Sequence, residues 1–163
     1  MLERDLIQQV LHILDSDAQT LFGKELFFIN KYNPLLRAHL KIGYESSLKS
    51  GGDIGAEDYV KGNLVGHFLL RESLKKRYKP ISLDALRIYN IELMRIFNQS
   101  GGDSQQWTTK IRQWLFLEYP EVENAFVELE TALGHDTDFF ITGAADVLLL
   151  YKMFMPELNA DLN

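Results

Sequence analysis

Apolar residues recur at steps of three and four positions along almost the whole chain. This spacing places successive apolar side chains on one face of an α-helix. Alternating runs of β-branched residues, which are typical of strands, do not occur, and Pro and Gly fall at intervals that would separate helices. The pattern therefore predicts an all-α fold. The 163 residues suit a single domain over residues 1–163, which would bury roughly 70% of the surface exposed on unfolding.

Capping residues and helix breakers divide this pattern into seven or eight predicted helices. Ser16 and Gln19 form a capping-box pattern before the second helix, and Pro34 suits the first turn of the third. Ser82 is the predicted N-cap of the fifth helix. The predicted helices begin, in chain order, at about residues 2, 16, 34, 57, 82, 104, 121 and 139. The first, over residues 2–14, carries a broad apolar face.

Two Ser-Gly-Gly-Asp sequences, at residues 50–53 and 100–103, lie fifty residues apart. The flanking apolar positions do not coincide at that offset, so the chain does not read as a repeat protein. Gly readily adopts the left-handed backbone conformation that ends a helix, and Asp caps the helix that follows. We therefore expect both glycine pairs to form corners between helices.

Two further features predict how the helices pack. Gly62 and Gly66 lie on one face of the fourth predicted helix, and such a pair allows a second helix to approach closely. The last predicted helix, over about residues 139–155, is apolar nearly all round, which is typical of a helix enclosed by others. We expect this C-terminal helix to lie at the centre of the fold.

The predicted helix over residues 121–133 is sharply amphipathic and acidic. Its apolar residues form a narrow stripe at helical spacing: Val122, Phe126, Leu129 and Leu133. Four carboxylates line the two flanks of that stripe: Glu121, Glu123, Glu128 and Glu130. No Lys or Arg lies on the same helix, so its charge is not neutralised locally.

The negative charge of the chain is concentrated around that helix. The 39 residues between Arg112 and Lys152 carry eight acidic residues and no Lys or Arg, while the whole chain has a formal net charge of −6. Clustered carboxylates attract basic partners and repel nucleic acid and anionic membrane. We therefore predict that the four glutamates bind a basic protein, unless bases from elsewhere in the chain fold over to pair with them.

Several chemical classes have no support in the sequence. The absence of Cys excludes disulfides, thiolate metal sites and Cys nucleophiles. The patterns of haem, di-iron, serine-nucleophile and phosphate-cradling sites are also missing, so we expect no cofactor. The first residues do not read as a signal peptide, and the most apolar run is short for a membrane span and contains Asp146 and Lys152. These features predict a cytoplasmic protein that does not enter a membrane.

His135 and Asp136 form a sequential His-Asp pair of the kind that helps bind metal in helical phosphohydrolases of the HD superfamily. A complete site also needs an upstream His, for which His39 and His67 are the candidates, and a later Asp, for which Asp146 is the candidate. A carboxylate just before the last helix is more simply its N-cap. A metal-dependent phosphohydrolase-like enzyme is therefore the first alternative.

Asp146 is a carboxylate in the middle of the most apolar predicted helix, where burial is costly unless the group is paired or protonated. One interpretation is a perturbed acid at the floor of a pocket. The favoured interpretation is a residue at the surface edge, or a buried partner for an Arg or a Tyr hydroxyl. A small-ligand sensor with an apolar pocket between helices is the second alternative.

These observations favour a non-catalytic cytoplasmic interaction or regulatory protein. Its acidic helix would bind a basic partner, for example by neutralising a toxin or by covering a nucleic-acid-binding surface.

Overall fold

A computed structural model describes residues 18–133 and 138–160. These residues contain no strand and form six α-helices and one short 3-10 turn, so the predicted all-α class is confirmed. The elements are α1 (Ala18–Tyr32), α2 (Pro34–Leu74), the 3-10 turn (Lys75–Arg77), α3 (Leu83–Gln99), α4 (Ser104–Glu118), α5 (Pro120–Leu133) and α6 (Asp138–Ala160).

The predicted count of seven or eight helices is wrong, because the described residues form six. The helix predicted over residues 2–14 lies outside the described residues. The third and fourth predicted helices are joined in α2, a helix of 41 residues. At Gly52 the backbone has φ 65° and ψ −161°, so the chain bends there without a separate loop. A residue with a side chain rarely adopts this conformation, which explains why Gly occupies the bend.

Two of the predicted helix boundaries rest on local capping interactions that the structure contains, while Ser16 lies outside the described residues. The Ser82 hydroxyl accepts a hydrogen bond from the Ala85 amide at 3.1 Å at the start of α3. At the start of α4, the Asp103 carboxylate accepts from the Gln105 amide at 2.9 Å. The turn before Asp103 contains Gly101 and Gly102, both with positive φ. The predicted corner at residues 100–103 is therefore confirmed.

The C-terminal helix α6 lies at the centre of the fold, as its apolar sequence predicts. It packs against α2, α3 and α4, and its residues from 140 to 151 are buried, apart from the half-buried Thr142. By length and composition α6 could cross a membrane, but 61% of its most apolar stretch is buried inside the described structure. This burial is what a core helix of a compact protein shows.

Glycines bring α2 and α6 unusually close together. A Cβ atom added at Gly62 would lie 2.0 Å from the Phe140 carbonyl oxygen, and one added at Gly143 would lie 2.1 Å from the Tyr59 carbonyl oxygen. At Gly66 the nearest atom would be the Ala144 carbonyl oxygen, at 3.1 Å. The close helix packing predicted from Gly62 and Gly66 is therefore confirmed.

Candidate functional site

The acidic helix α5 attaches to the fold through its apolar stripe. Val122, Ala125 and Phe126 are buried, and the Phe126 ring meets the Phe140 ring of α6 edge-on with 5.6 Å between centroids. Leu129 is half-buried against the same core. Because these residues occupy one side of α5, the opposite side of the helix faces solvent.

Tyr119 fixes the start of α5 against the central helix. Its hydroxyl donates a hydrogen bond to the Leu148 carbonyl oxygen of α6 at 3.0 Å. Burial, together with the nearby carboxylates of Glu121 and Glu118, raises the pKa of Tyr119 above its ordinary value. The phenol therefore stays protonated at neutral pH and keeps donating. This anchor holds the first turn of α5 in a defined position.

The solvent side of α5 carries carboxylates around an apolar residue. Glu123 and Glu128 are exposed, and Val127 lies between them on this side with 42% of its surface exposed. Glu121 is half-buried at one edge. The side chain of Glu130 lies outside the described residues. We use the name acidic face for the four glutamates Glu121, Glu123, Glu128 and Glu130.

Nearby bases pair with carboxylates outside the acidic face. Arg112 lies 3.5 Å from Asp138, and Lys152 lies 3.6 Å from Glu118. Within the described ranges, 18–133 and 138–160, no Lys or Arg forms an ion pair with Glu123 or Glu128. These two carboxylates therefore keep their charge directed to solvent.

Asp146 is a buried partner of two tyrosine hydroxyls, which matches one of the favoured sequence interpretations. Only 8% of its surface is exposed, and its two carboxylate oxygens accept hydrogen bonds from Tyr59 at 2.6 Å and Tyr89 at 2.7 Å. Burial and then the charge of Asp146 raise the pKa of both phenols well above the ordinary value. Because both of its oxygens are satisfied by tyrosine hydroxyls, Asp146 has a structural role in linking α2, α3 and α6.

A second buried polar cluster joins α1 to α2 through Glu25 and His67. His67 Nδ1 lies 2.6 Å from Glu25 Oε2, and His67 Nε2 lies 2.6 Å from the Tyr78 hydroxyl. The Arg71 guanidinium also forms an ion pair with Glu25. Burial alone raises the pKa of Glu25, but the hydrogen bonds from His67 and Arg71 outweigh it, so the pKa lies below the ordinary value.

The same cluster extends through Asn33 to the central helix. The Asn33 amide nitrogen donates to the hydroxyls of Tyr78 at 2.8 Å and Tyr151 at 2.9 Å, while its oxygen accepts from the Ile81 amide at 3.1 Å. The Tyr151 hydroxyl in turn donates to the Lys79 carbonyl oxygen at 2.6 Å. Every polar atom named here has a partner, so the cluster ties α1, α2, α6 and the segment before α3 together.

Sequence reasoning missed Glu25 as a buried residue. Its position carries a signal, because Glu25 lies three residues after Phe22 and four before Ile29, on the side of α1 that packs inward. A single acid on an apolar face at this spacing predicts a buried, paired carboxylate. The identity of its partners depends on α2, which is distant in sequence.

The histidines proposed as metal ligands do not come together with Asp146. His67 is fully buried with both ring nitrogens engaged. His39 packs edge-on against the Tyr89 ring at 5.4 Å, and its buried Nε2 has no hydrogen-bond partner in the described structure. His135 and Asp136 lie outside the described residues. Among residues 18–133 and 138–160, no group of three or more His, Asp and Glu side chains could hold a metal ion.

An open groove runs between α1 and α2. It consists of two adjoining hollows of about 540 and 220 Å³, which share Leu26, Tyr44, Val60 and Leu64 as lining residues. The shared lining residues are apolar, and the groove is open to solvent. The aromatic Phe22 also lines the larger hollow. A small-ligand sensor would need a pocket of this apolar character, although a more enclosed one.

Comparisons of the chain with protein-family profiles, with curated proteins and with solved structures found no significant match.

Proposed function

We propose that this is a non-catalytic cytoplasmic interaction or regulatory protein whose acidic face binds a basic partner protein. The observation that carries the proposal is the solvent side of α5, where Glu123 and Glu128 stand without a pairing base among the described residues. Covering a nucleic-acid-binding surface is one role that such a face suits, because that surface presents clustered Lys and Arg. Neutralising a toxin whose surface is basic is another.

The physical basis is electrostatic steering followed by apolar contact. Exposed carboxylates at the edge of an interface accelerate encounter with a positively charged partner more than they tighten the final complex. Val127 supplies apolar surface between the charges. Leu117, in the last turn of α4 and close in sequence to the start of α5, is 78% exposed and supplies further apolar surface. An apolar centre with a charged rim is the usual composition of a protein-binding surface.

The phosphohydrolase alternative depends on His135 and Asp136, which lie outside the described residues. Of its upstream histidine candidates, His67 binds Glu25 and Tyr78, whereas the His39 ring packs against Tyr89. Metal analysis separates this alternative from the proposal. The enzyme requires one equivalent of divalent metal that both His135→Ala and Asp136→Ala remove, and such a result would overturn the proposal.

The partner is tested by capture from an extract of the native host at low salt. We expect wild-type protein to retain a protein rich in Lys and Arg, and we expect Glu123→Lys with Glu128→Lys to lose it while keeping its circular dichroism. Association rates measured with the purified partner should fall at least about tenfold in the double variant. Their dependence on ionic strength should also weaken, because fewer charges remain to be screened.

The control is Glu45→Lys with Glu57→Lys, which changes the net charge equally on exposed positions of α2. Those variants should change the association rate much less than the α5 variants. An equal fall of the association rate in the two double variants would show that net charge, and not a specific surface, determines the rate. Preferential capture of nucleic acid by the wild-type protein would also overturn the proposal.

A further inference from the structure

Helix α3 carries a stripe of exposed residues along one side. At steps of four, three and four positions, the stripe consists of Asp84, Ile88, Ile91 and Arg95. All four are exposed, and the two isoleucines expose 48% and 66% of their surface. The buried residues of α3 lie on a different side of the helix and are Ala85, Tyr89 and Ile96. Large apolar side chains grouped in solvent and bordered by charges are typical of a surface that contacts another molecule.

The stripe is complementary to itself when its direction is reversed. It begins with an acid, ends with a base and has two isoleucines between them. Along an antiparallel second copy of α3, Asp84 would lie opposite Arg95 at each end of the contact, and Ile88 would lie opposite Ile91 in the middle. Both pairs are centred on the same point, midway between residues 89 and 90. A single two-fold axis therefore generates all of these contacts.

The order of the charges selects both the direction and the occupant. A parallel pair of α3 helices would set Asp84 against Asp84 and Arg95 against Arg95, and like charges opposite each other weaken association. An anionic membrane surface would attract the basic end of the stripe and repel the acidic end. A second copy of this chain supplies the reversed order by symmetry, as the commonest soluble dimers do.

Both charged side chains have capacity for such a pair. In the part of the chain that the structure describes, no Lys or Arg forms an ion pair with Asp84. Arg95 pairs with Glu92 of the same helix, and its Nη2 and Nε atoms lie 2.8 and 3.0 Å from one Glu92 oxygen. This pair does not use the Nη1 group of Arg95, which can donate to a second carboxylate.

We propose that this protein forms a homodimer through α3, with the two helices antiparallel. The contact buries Ile88 and Ile91 of both copies, and Asp84 pairs with Arg95 at each end. Met94, which is also exposed, adds apolar surface beside the stripe. The acidic face belongs to a different helix, α5, so either proposal stands if the other fails.

Sedimentation velocity of the full chain tests the dimer. A contact made by one pair of helices is small, so we expect weak association that is visible between about 5 and 500 µM. Ile91→Asp should raise the dissociation constant at least about tenfold, because it places a carboxylate from each copy in the apolar centre of the contact. The matched control Ile42→Asp, at an exposed position of α2, should leave the constant within about twofold of the wild type.

Charge substitutions test the antiparallel register. Asp84→Arg leaves bases at both ends of the stripe and Arg95→Asp leaves acids at both ends, so each variant alone should associate at least about tenfold more weakly. Mixed in equal amounts, the two variants should form a heterodimer, because every base then faces an acid. One chain that carries both substitutions should regain the homodimer. Glu45→Arg, at an exposed position of α2, makes the same change of net charge as Asp84→Arg and should keep the dimer.

Three results would overturn the proposal, given variants that keep their helical circular dichroism. A wild-type protein of monomer mass at every concentration would show that no dimer forms. Dimerisation of Ile91→Asp at the wild-type strength would show that another surface makes the contact. Mixed charge variants that stay monomeric, beside a wild type that dimerises, would exclude the antiparallel register.

Discussion

Glu25 and Asp146 are both buried carboxylates, but different groups stabilise them. Glu25 has a full positive charge beside it in Arg71, and His67 adds a hydrogen bond. Asp146 has two phenol donors, and no Lys, Arg or His among the described residues forms an ion pair with it. The two phenol hydroxyls satisfy both oxygens of Asp146 without a cation. The two sites should therefore respond to opposite extremes of pH.

The first prediction concerns acid stability at Glu25. Because its pKa in the folded state lies below the ordinary value, the group stabilises the fold above about pH 4.5, and this contribution is lost as the pH falls through the folded-state pKa. We expect Glu25→Gln to lower the free energy of unfolding at neutral pH by about 1–3 kcal/mol. Urea denaturation at several pH values measures both effects.

The same variant should also show a flatter dependence of stability on pH below about pH 4.5 than the wild type, since one linked carboxylate is gone. The exposed Glu45→Gln serves as the control and should change little. If Glu25→Gln kept the full acid slope of the wild type, the assignment of this linkage to Glu25 would be wrong.

The second prediction concerns alkaline stability at Tyr59 and Tyr89. Burial and Asp146 raise the pKa of both phenols, so the unfolded chain releases these protons at lower pH than the folded chain does. Stability should therefore fall as the pH rises above about 10. We expect the phenolate absorbance of the buried tyrosines to rise together with loss of helical circular dichroism. Complete ionisation of all tyrosines in a fully helical protein would contradict this.

At the scale of elements, the contact between α2 and α6 depends on the absence of side chains. Gly62 and Gly143 each face a backbone carbonyl oxygen of the other helix. The Asn63 side chain then donates to the Gly143 carbonyl oxygen at 2.8 Å, which adds a polar link at the crossing. Since backbone atoms cannot move aside as a flexible side chain can, a methyl group here must separate the helices.

The third prediction compares two glycines one helical turn apart in α2. We expect Gly62→Ala to destabilise the protein by about 1–3 kcal/mol, because its Cβ atom would overlap the Phe140 carbonyl oxygen. Gly66→Ala should cost less, since its nearest neighbour is at 3.1 Å and Ala favours the helix by up to about 1 kcal/mol over Gly. Thermal and chemical denaturation give the comparison. An equal or larger loss at Gly66 would contradict the packing described.

At the scale of the whole molecule, α6 forms the centre of the core, and α5 carries the exposed glutamates. The central α6 contacts α2, α3 and α4, so its apolar side chains pack against helices from most of the described chain. Glu123 and Glu128 on α5 are exposed and lie outside this core. Substitutions of buried residues in α6 should therefore change stability, and substitutions of the exposed glutamates in α5 should change association.

The fourth prediction tests the central position of α6. Leu148 and Leu149 have no exposed surface, so we expect Leu148→Ala and Leu149→Ala each to cost about 2–5 kcal/mol. Asn90→Ala, on the exposed side of α3, is the control and should stay within about 0.5 kcal/mol of the wild type. Equilibrium unfolding in urea measures all three. Losses below about 1 kcal/mol at both leucines would show that α6 is not the centre of the core.

The features that the sequence determined by itself are those with local causes. The N-caps at Ser82 and Asp103 act within one helical turn, and the apolar stripe of α5 follows from the helical period. The burial of α6 also followed from its sequence, because a helix that is apolar on every side has to be enclosed.

Only the tertiary structure decided which distant groups meet. Tyr59 and Tyr89, which donate hydrogen bonds to Asp146, lie 87 and 57 residues from it in the sequence. His67, which contacts Glu25, lies 42 residues from it. The bend at Gly52 is likewise a tertiary outcome, since the same glycine pattern at residues 100–103 forms a turn between separate helices. Local sequence sets the conformation available to a glycine, but packing of the flanking segments decides whether the helix continues beyond it.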